Sequence, residues 1–126
     1  MEMNYTPSRH VQMLIYLLKA HNIRKVIASP GTGVIPFIGS IQKDPFFEVY
    51  SAVDERGAAY MATGLAYESG EPVVITCTGA TASRNYMPGL TEAFYRKLPI
   101  LAVTGAQYDS NAENLSPQYV DRSVTP

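Results

Sequence analysis

Glu55 is the side chain whose type and position most invite chemistry. It follows the aromatic and β-branched run Phe46 to Val53, which reads as a strand. The next residues, from Gly57 to about Ser69, read as a helix with Asp54 as a good N-cap. In an open α/β sheet, ligands bind beyond the carboxyl ends of the strands. Glu55 and Asp54 are the carboxylates at such a strand end before the C-terminal stretch. On pattern alone, an acidic residue balancing the helix dipole is the simpler account of Glu55.

Three other segments fall at predicted strand ends: Ser29 to Gly33, Thr78 to Thr81, and Thr104 to Gln107. Their glycines allow a ligand to approach the backbone closely. The sequence PGTG at Pro30–Gly33 is half of a phosphate loop and no more. A P-loop requires Gly-Lys-Ser or Gly-Lys-Thr, and a dinucleotide fingerprint requires a third glycine where Pro36 stands. On spacing alone, a tight strand-to-helix turn is the better account of it. Ser29 and Ser83 have no histidine nearby in sequence and no Gly-x-Ser-x-Gly elbow, so hydrolase chemistry fits poorly. Cys77, the one cysteine, lies in an apolar run and reads as a buried strand thiol. His10 and His21 are the only histidines, and no His and Cys set has metal-ligand spacing.

These residues are positioned by a regular alternation of elements. Val11, Leu14, Ile15, Leu17 and Leu18 recur at helical spacing, which predicts a helix from Ser8 to about His21. Lys25–Ser29 predicts a strand, Val34–Ile41 a short helix that tolerates Pro36 in its first turn, and Val73–Cys77 a third strand. A helix running to Arg96-Lys97 follows the turn Thr78–Thr81, with Pro88 near its start or at a kink. Leu98–Val103 predicts a fourth strand. Strands separated by helices imply right-handed crossovers and a mainly parallel sheet covered on both faces. The fold class is therefore α/β, as a three-layer α/β/α arrangement. The length of 126 residues suits a single domain. A formal net charge of -1, with lysine and arginine scattered, gives no basic stripe for nucleic acid. No apolar run reaches the roughly 20 residues that span a bilayer. A lone cysteine fits a reducing cytoplasm.

Taken in order, several segments resemble one family. Val53–Ala66 (VDERGAAYMATGLA) resembles the glutamate-bearing helix start of thiamine diphosphate enzymes, above all acetohydroxyacid synthases and the carboligase of menaquinone synthesis. Val73–Ala93 (VVITCTGATASRNYMPGLTEA) resembles their second cofactor loop, and Leu98–Gly105 (LPILAVTG) their next strand. Pro117, Gln118 and Asp121 resemble a later loop facing the active site. The resemblance implies a pyrimidine-binding domain. In it, Glu55 hydrogen-bonds a ring nitrogen of the cofactor's aminopyrimidine and favours the imino tautomer, which takes the proton from the thiazolium carbon. A carboxyl in a dry pocket can share that proton with the ring instead of losing it to water. Pro30, Gly31, Thr78, Thr81 and Asn85 match positions lining the pyrimidine side, and Gln118 one near the reacting end.

The implied activity is that of a 2-oxo acid decarboxylase or carboligase. The alternative is a non-catalytic α/β module for dimerisation or nucleotide binding, which has no need for a carboxylate at position 55. The family binds the diphosphate through Mg²⁺ on a separate domain bearing Gly-Asp-Gly, a motif this chain lacks. Residues 1–126 are therefore expected to be one incomplete domain, inactive alone. The end at Thr125-Pro126 falls inside an expected helix-bearing region, so a truncated piece of a longer enzyme is favoured over a split subunit. The expected partner is a diphosphate-binding domain, in the same full-length chain or another subunit, within a homodimer. The second loop departs from the family in carrying Ala80 where relatives usually place glycine.

Overall fold

The structure is a computed structural model that describes residues 6–106. Along it run α1 (Arg9–Ala20), β1 (Lys25–Ala28), α2 (Ile35–Ile41), β2 (Glu48–Ser51), α3 (Glu55–Ser69), β3 (Val73–Cys77), α4 (Ala80–Ser83), α5 (Met87–Tyr95) and β4 (Ile100–Thr104). Short 3-10 turns at Thr32–Val34 and Arg84–Tyr86 lead into α2 and α5. The strands form one sheet in the order β2-β1-β3-β4, with every neighbouring pair parallel.

Alternation along the central strands sorts side chains to two faces. Val26, Ala28 and Val74 enter a core with Val11, Ile15 and Leu18 of α1 and Phe37, Ile38 and Ile41 of α2. Ile27, Val73, Ile75 and Cys77 enter a second core with Ala58, Ala59, Ala62 and Ala66 of α3 and with Tyr86. Because β1 and β3 feed both cores, they read as continuous apolar runs, as strands covered on both faces should. The expected three layers with a parallel sheet are present.

Several boundaries differ from the sequence reading. β2 is four residues long, not the whole of Phe46 to Val53. Asp44 competes for its start: its carboxylate accepts from Phe46 N and its carbonyl from Phe47 N. Phe46 and Phe47 therefore sit in a turn, where Phe47 plugs the first core. The single helix expected after β3 is three pieces, with Pro88 in the first turn of α5. As expected, Asp54 caps α3, its Oδ1 accepting from Gly57 N at 2.6 Å. Gly70, at φ 68, ends that helix in the left-handed region that suits glycine.

Candidate functional site

The strand order sets where a ligand can enter. The chain passes from β1 outward to β2, then crosses back to β3 on β1's other side, which makes the carboxyl ends of β1 and β3 the topological switch point. Pro30 and Gly31 follow β1 there, and Thr78 follows β3. Ser29 N donates to Thr76 O at 2.9 Å and Gly105 N to Cys77 O at 3.2 Å, so the ladder persists to the edge of the loops.

Those loops touch. A Cβ placed on Gly31 would lie 2.7 Å from Thr78 Cβ, and one on Gly33 2.8 Å from Thr78 Oγ1. Gly33 N donates to Thr78 Oγ1 at 3.3 Å. A Cβ on Gly105 would meet Gly33 O at 3.0 Å. The glycines at positions 31, 33 and 105 therefore let three strand ends close around Thr78, for which backbone freedom is secondary to lack of volume. Beside them, Pro30 and Gly31 share a hollow of about 190 Å³ with Ile35, Ile38, Gly39 and Gln42. A cavity of about 640 Å³ opens on the far side of Gly33 and Gly105, against His10 and Ser8 at the start of α1.

Glu55 stands at the end of neighbouring β2, as the first residue of α3. It is half-buried, whereas Asp54, Arg56 and Gly57 are exposed. Helical spacing explains the difference: Glu55 heads the stripe Ala58, Ala59, Ala62 and Ala66 that faces the second core. Thr81 falls in the first turn of α4 rather than in the expected turn, since α4 begins at Ala80. Thr81 and Asn85 are exposed, and Asn85 Nδ2 donates to Thr81 O at 3.3 Å. Gln118 lies outside the described residues, as do Pro117 and Asp121.

The sequence reading passed over two groups at this end of the second core. Ser29 Oγ is buried without a hydrogen-bond partner, and the buried Tyr86 phenol has only the Cys77 thiol to interact with. Burial first, then the adjacent Cys77 thiol, and then the charge of Glu55 push the Tyr86 phenol far above its ordinary pKa. A tyrosine in a helical run carries no sequence signal that its hydroxyl will be enclosed; that emerges only when α3 and the 3-10 turn pack together.

Residues 9–123 match the family described as "Thiamine pyrophosphate enzyme, N-terminal TPP binding domain". The chain belongs to this family. This thiamine pyrophosphate-binding domain (pyrophosphate and diphosphate name the same cofactor) is 43% identical over 104 residues to the 2-succinyl-5-enolpyruvyl-6-hydroxy-3-cyclohexene-1-carboxylate synthase of Porphyromonas gingivalis. That match covers 82% of this chain and 18% of the relative. The synthase of the same name from Lysinibacillus sphaericus is 32% identical over 113 residues, covering 90% of this chain and 20% of the relative. The domain thus spans about a fifth of the length of the curated relatives it matches. Among solved structures, the thiamine diphosphate-dependent 4-hydroxybenzoylformate decarboxylase of Rhodococcus jostii superposes with a TM-score of 0.75 at 24% identity. It covers 86% of this chain and 20% of that one. Benzoylformate decarboxylase from Polynucleobacter necessarius gives 0.72 at 23%, covering 82% and 19%. These two likenesses establish the shared α/β fold.

The residues present fit the pyrimidine half of that cofactor. The Gly31–Thr78 approach leaves no room for another side chain, which keeps backbone exposed at the switch point. A ring nitrogen needs a carboxyl, and Glu55 stands at the adjoining strand end. Among the described residues no group of three or more His, Cys, Asp or Glu could hold a metal ion. No helix among them is long and apolar enough to cross a membrane.

Proposed function

We propose that this domain supplies the pyrimidine side of a thiamine diphosphate site, with Glu55 as the carboxyl that shares a proton with a pyrimidine ring nitrogen. The observation that carries this reading is the position of Glu55. It opens α3 at the carboxyl end of β2 and faces the same core as the switch-point strands. Pro30, Gly31 and Thr78 would line the ring, with Thr81 and Asn85 beyond them on α4 and the turn after it. Gln118 would approach the reacting end. Bound thiamine diphosphate supplies an electron sink for breaking a bond beside a carbonyl. The protein's own task is to hold the ring, orient the Glu55 proton toward it and exclude water.

The whole enzyme would act as a 2-oxo acid decarboxylase or carboligase, a reading supported by the match to the thiamine pyrophosphate enzyme family and to carboxylate synthases. Magnesium and the diphosphate would be held by a second domain, on the same full-length chain or a partner subunit. The domain on its own would then be inactive. A cytoplasmic homodimer completes the reading. For the dimer, the support is that α3 and α5 expose the large apolar side chains Tyr60, Met61, Tyr67, Met87 and Phe94. Glu55 argues against the alternative of a non-catalytic dimerisation or nucleotide-binding module.

The test is Glu55→Gln in the full-length protein. It should leave the thermal midpoint unchanged and slow proton exchange at the thiazolium carbon roughly 10²- to 10⁴-fold, the range for loss of a general acid–base group. Unchanged exchange would remove Glu55 from the mechanism. Sedimentation of the same samples reads the assembly, and a monomer would rule out the homodimer.

A further inference from the structure

The 3-10 turn Thr32–Val34, which leads into α2, begins without a capping side chain of its own. Its N-cap is Gly31, in the extended conformation usual for that position. A serine, threonine or aspartate there would accept from the second or third amide of the turn through its side-chain oxygen. Gly31 has no such oxygen, yet the second amide is satisfied. Gly33 N donates to Thr78 Oγ1 at 3.3 Å, in the loop that follows β3. The third amide is met within the turn, Val34 N donating to Gly31 O at 3.1 Å.

The two positions are also complementary in volume. A Cβ on Gly31 would lie 2.7 Å from Thr78 Cβ and 2.8 Å from Thr78 Cγ2, so a capping side chain at position 31 and Thr78 cannot both fit. A Cβ on Gly33 would lie 2.8 Å from Thr78 Oγ1 and crowd the accepting oxygen. One hydroxyl on the β3 side thus stands in for the cap that the β1 loop lacks. It does so where the sheet stops helping. Among the described residues, the backbone ties between these two chains end with Ser29 N donating to Thr76 O at 2.9 Å. The loop then runs through Pro30, which has no N–H to offer.

We propose that Thr78 is a positioning residue: its hydroxyl caps the Thr32–Val34 turn from the neighbouring strand and so holds Pro30 and Gly31 where the pyrimidine ring would lie against them. The ring's place there rests on the function proposed above. Thr78 can still wall the slot with its carbon atoms, but its oxygen works on the loop.

The experiment uses the full-length protein, first without cofactor. Thr78→Val removes the accepting oxygen, and Thr78→Ser keeps it. Hydrogen–deuterium exchange of the peptide spanning residues 31–35 should quicken about 5-fold in Thr78→Val, as for loss of one hydrogen bond, and return to the wild-type rate in Thr78→Ser. Thiamine diphosphate should bind about 10-fold more weakly to Thr78→Val, the scale of a lost helix cap, and close to normally to Thr78→Ser. Proton exchange at the thiazolium carbon, read at saturating cofactor, should stay within about twofold of wild type in both, since the loop contributes to binding rather than to the proton transfer. Unchanged amide exchange in Thr78→Val overturns the cap. Weaker binding with unchanged amide exchange would put the oxygen in direct contact with the ring instead, and faster amide exchange with unchanged affinity would deny the cap a positioning role. If Thr78→Val does not fold, Thr78→Ala takes its place, because it differs from Thr78→Ser by the oxygen alone. The amide readings need no cofactor. Wild-type protein that fails to bind thiamine diphosphate would defeat the proposed function, whereas the cap is decided by amide exchange, so the two failures are distinct.

Discussion

Lack of volume, rather than any reactive group, defines the narrowest point of the site. Gly31 has an extended backbone, with φ -164, which any residue adopts, so its glycine answers to space alone. In Gly31→Ala the new methyl would lie 2.7 Å from Thr78 Cβ and 2.8 Å from Thr78 Cγ2. Neither neighbour is the loose end of a long side chain, so the two loops must part. We expect a stability cost of about 1–3 kcal/mol, the usual price of overpacking, and weaker thiamine diphosphate binding by calorimetry on the full-length protein. Gly39→Ala is the control, since nothing lies within 4 Å of its added Cβ on the nearby helix α2. It should be neutral or stabilising by up to about 1 kcal/mol through helix propensity. Equal effects of the two changes would show that the Gly31–Thr78 approach has no special role.

At the scale of the element, α3 owes its start to Asp54, and through that start it places Glu55. The cap satisfies Gly57 N in the first turn, the same turn that carries Glu55. Asp54→Ala should cost about 0.5–2 kcal/mol and raise amide hydrogen exchange through residues 55–58, while Asp54→Asn should restore most of the protection. Protection unchanged in the alanine variant would mean that core packing alone holds the turn. This cap was legible in the sequence because Asp54 followed a strand pattern and preceded a dense run of small residues. Likewise Val73–Cys77 was legible from end to end, since both of its faces are covered and nothing competes for its backbone. β2 was less so: Phe46 and Phe47 have strand-forming side chains, but Asp44 takes their N–H groups into a turn. The segment after β3 broke into three pieces because 3-10 geometry and Pro88 interrupt one helical pattern. Residue type and spacing placed Glu55 and the glycine loops at strand ends, where the structure has them, but a role for Glu55 came from the family resemblance alone. Tyr86 was not legible, because enclosure of a hydroxyl is a property of packing.

Over the whole molecule, the two ends of the sheet are built to opposite ends. The carboxyl end gathers Gly31 and Gly33 against Thr78, with Gly105 beside Gly33. The amino end is closed by charge: Lys25, first in β1, pairs with Glu48 of β2 at 2.6 Å and with Glu71, just before β3, at 3.1 Å. Hydrogen bonding to Glu48 and then Glu71 raises Lys25 above its ordinary pKa of 10.5. Hydrogen bonding to Lys25 lowers Glu48 below the ordinary 4.5. The signs give a plateau. A carboxylate lowered in the folded state stabilises above its unfolded value and loses that contribution as pH falls through the folded one. A lysine raised in the folded state stabilises below its unfolded value and loses that contribution as pH rises through the folded one. Lys25→Met in the full-length protein should therefore speed amide exchange in β1 and β2, relative to wild type at each pH, by a constant factor across neutral pH. The factor should shrink below pH 4.5 and again above 10.5. The effect should be modest and reduced by salt, because the carboxylate side of these pairs is open to solvent. Thiamine diphosphate affinity should be unaffected, since the pairs close the end opposite the site. A loss of affinity with β1 and β2 exchange unchanged would show that the two ends are coupled, against the division of labour drawn here.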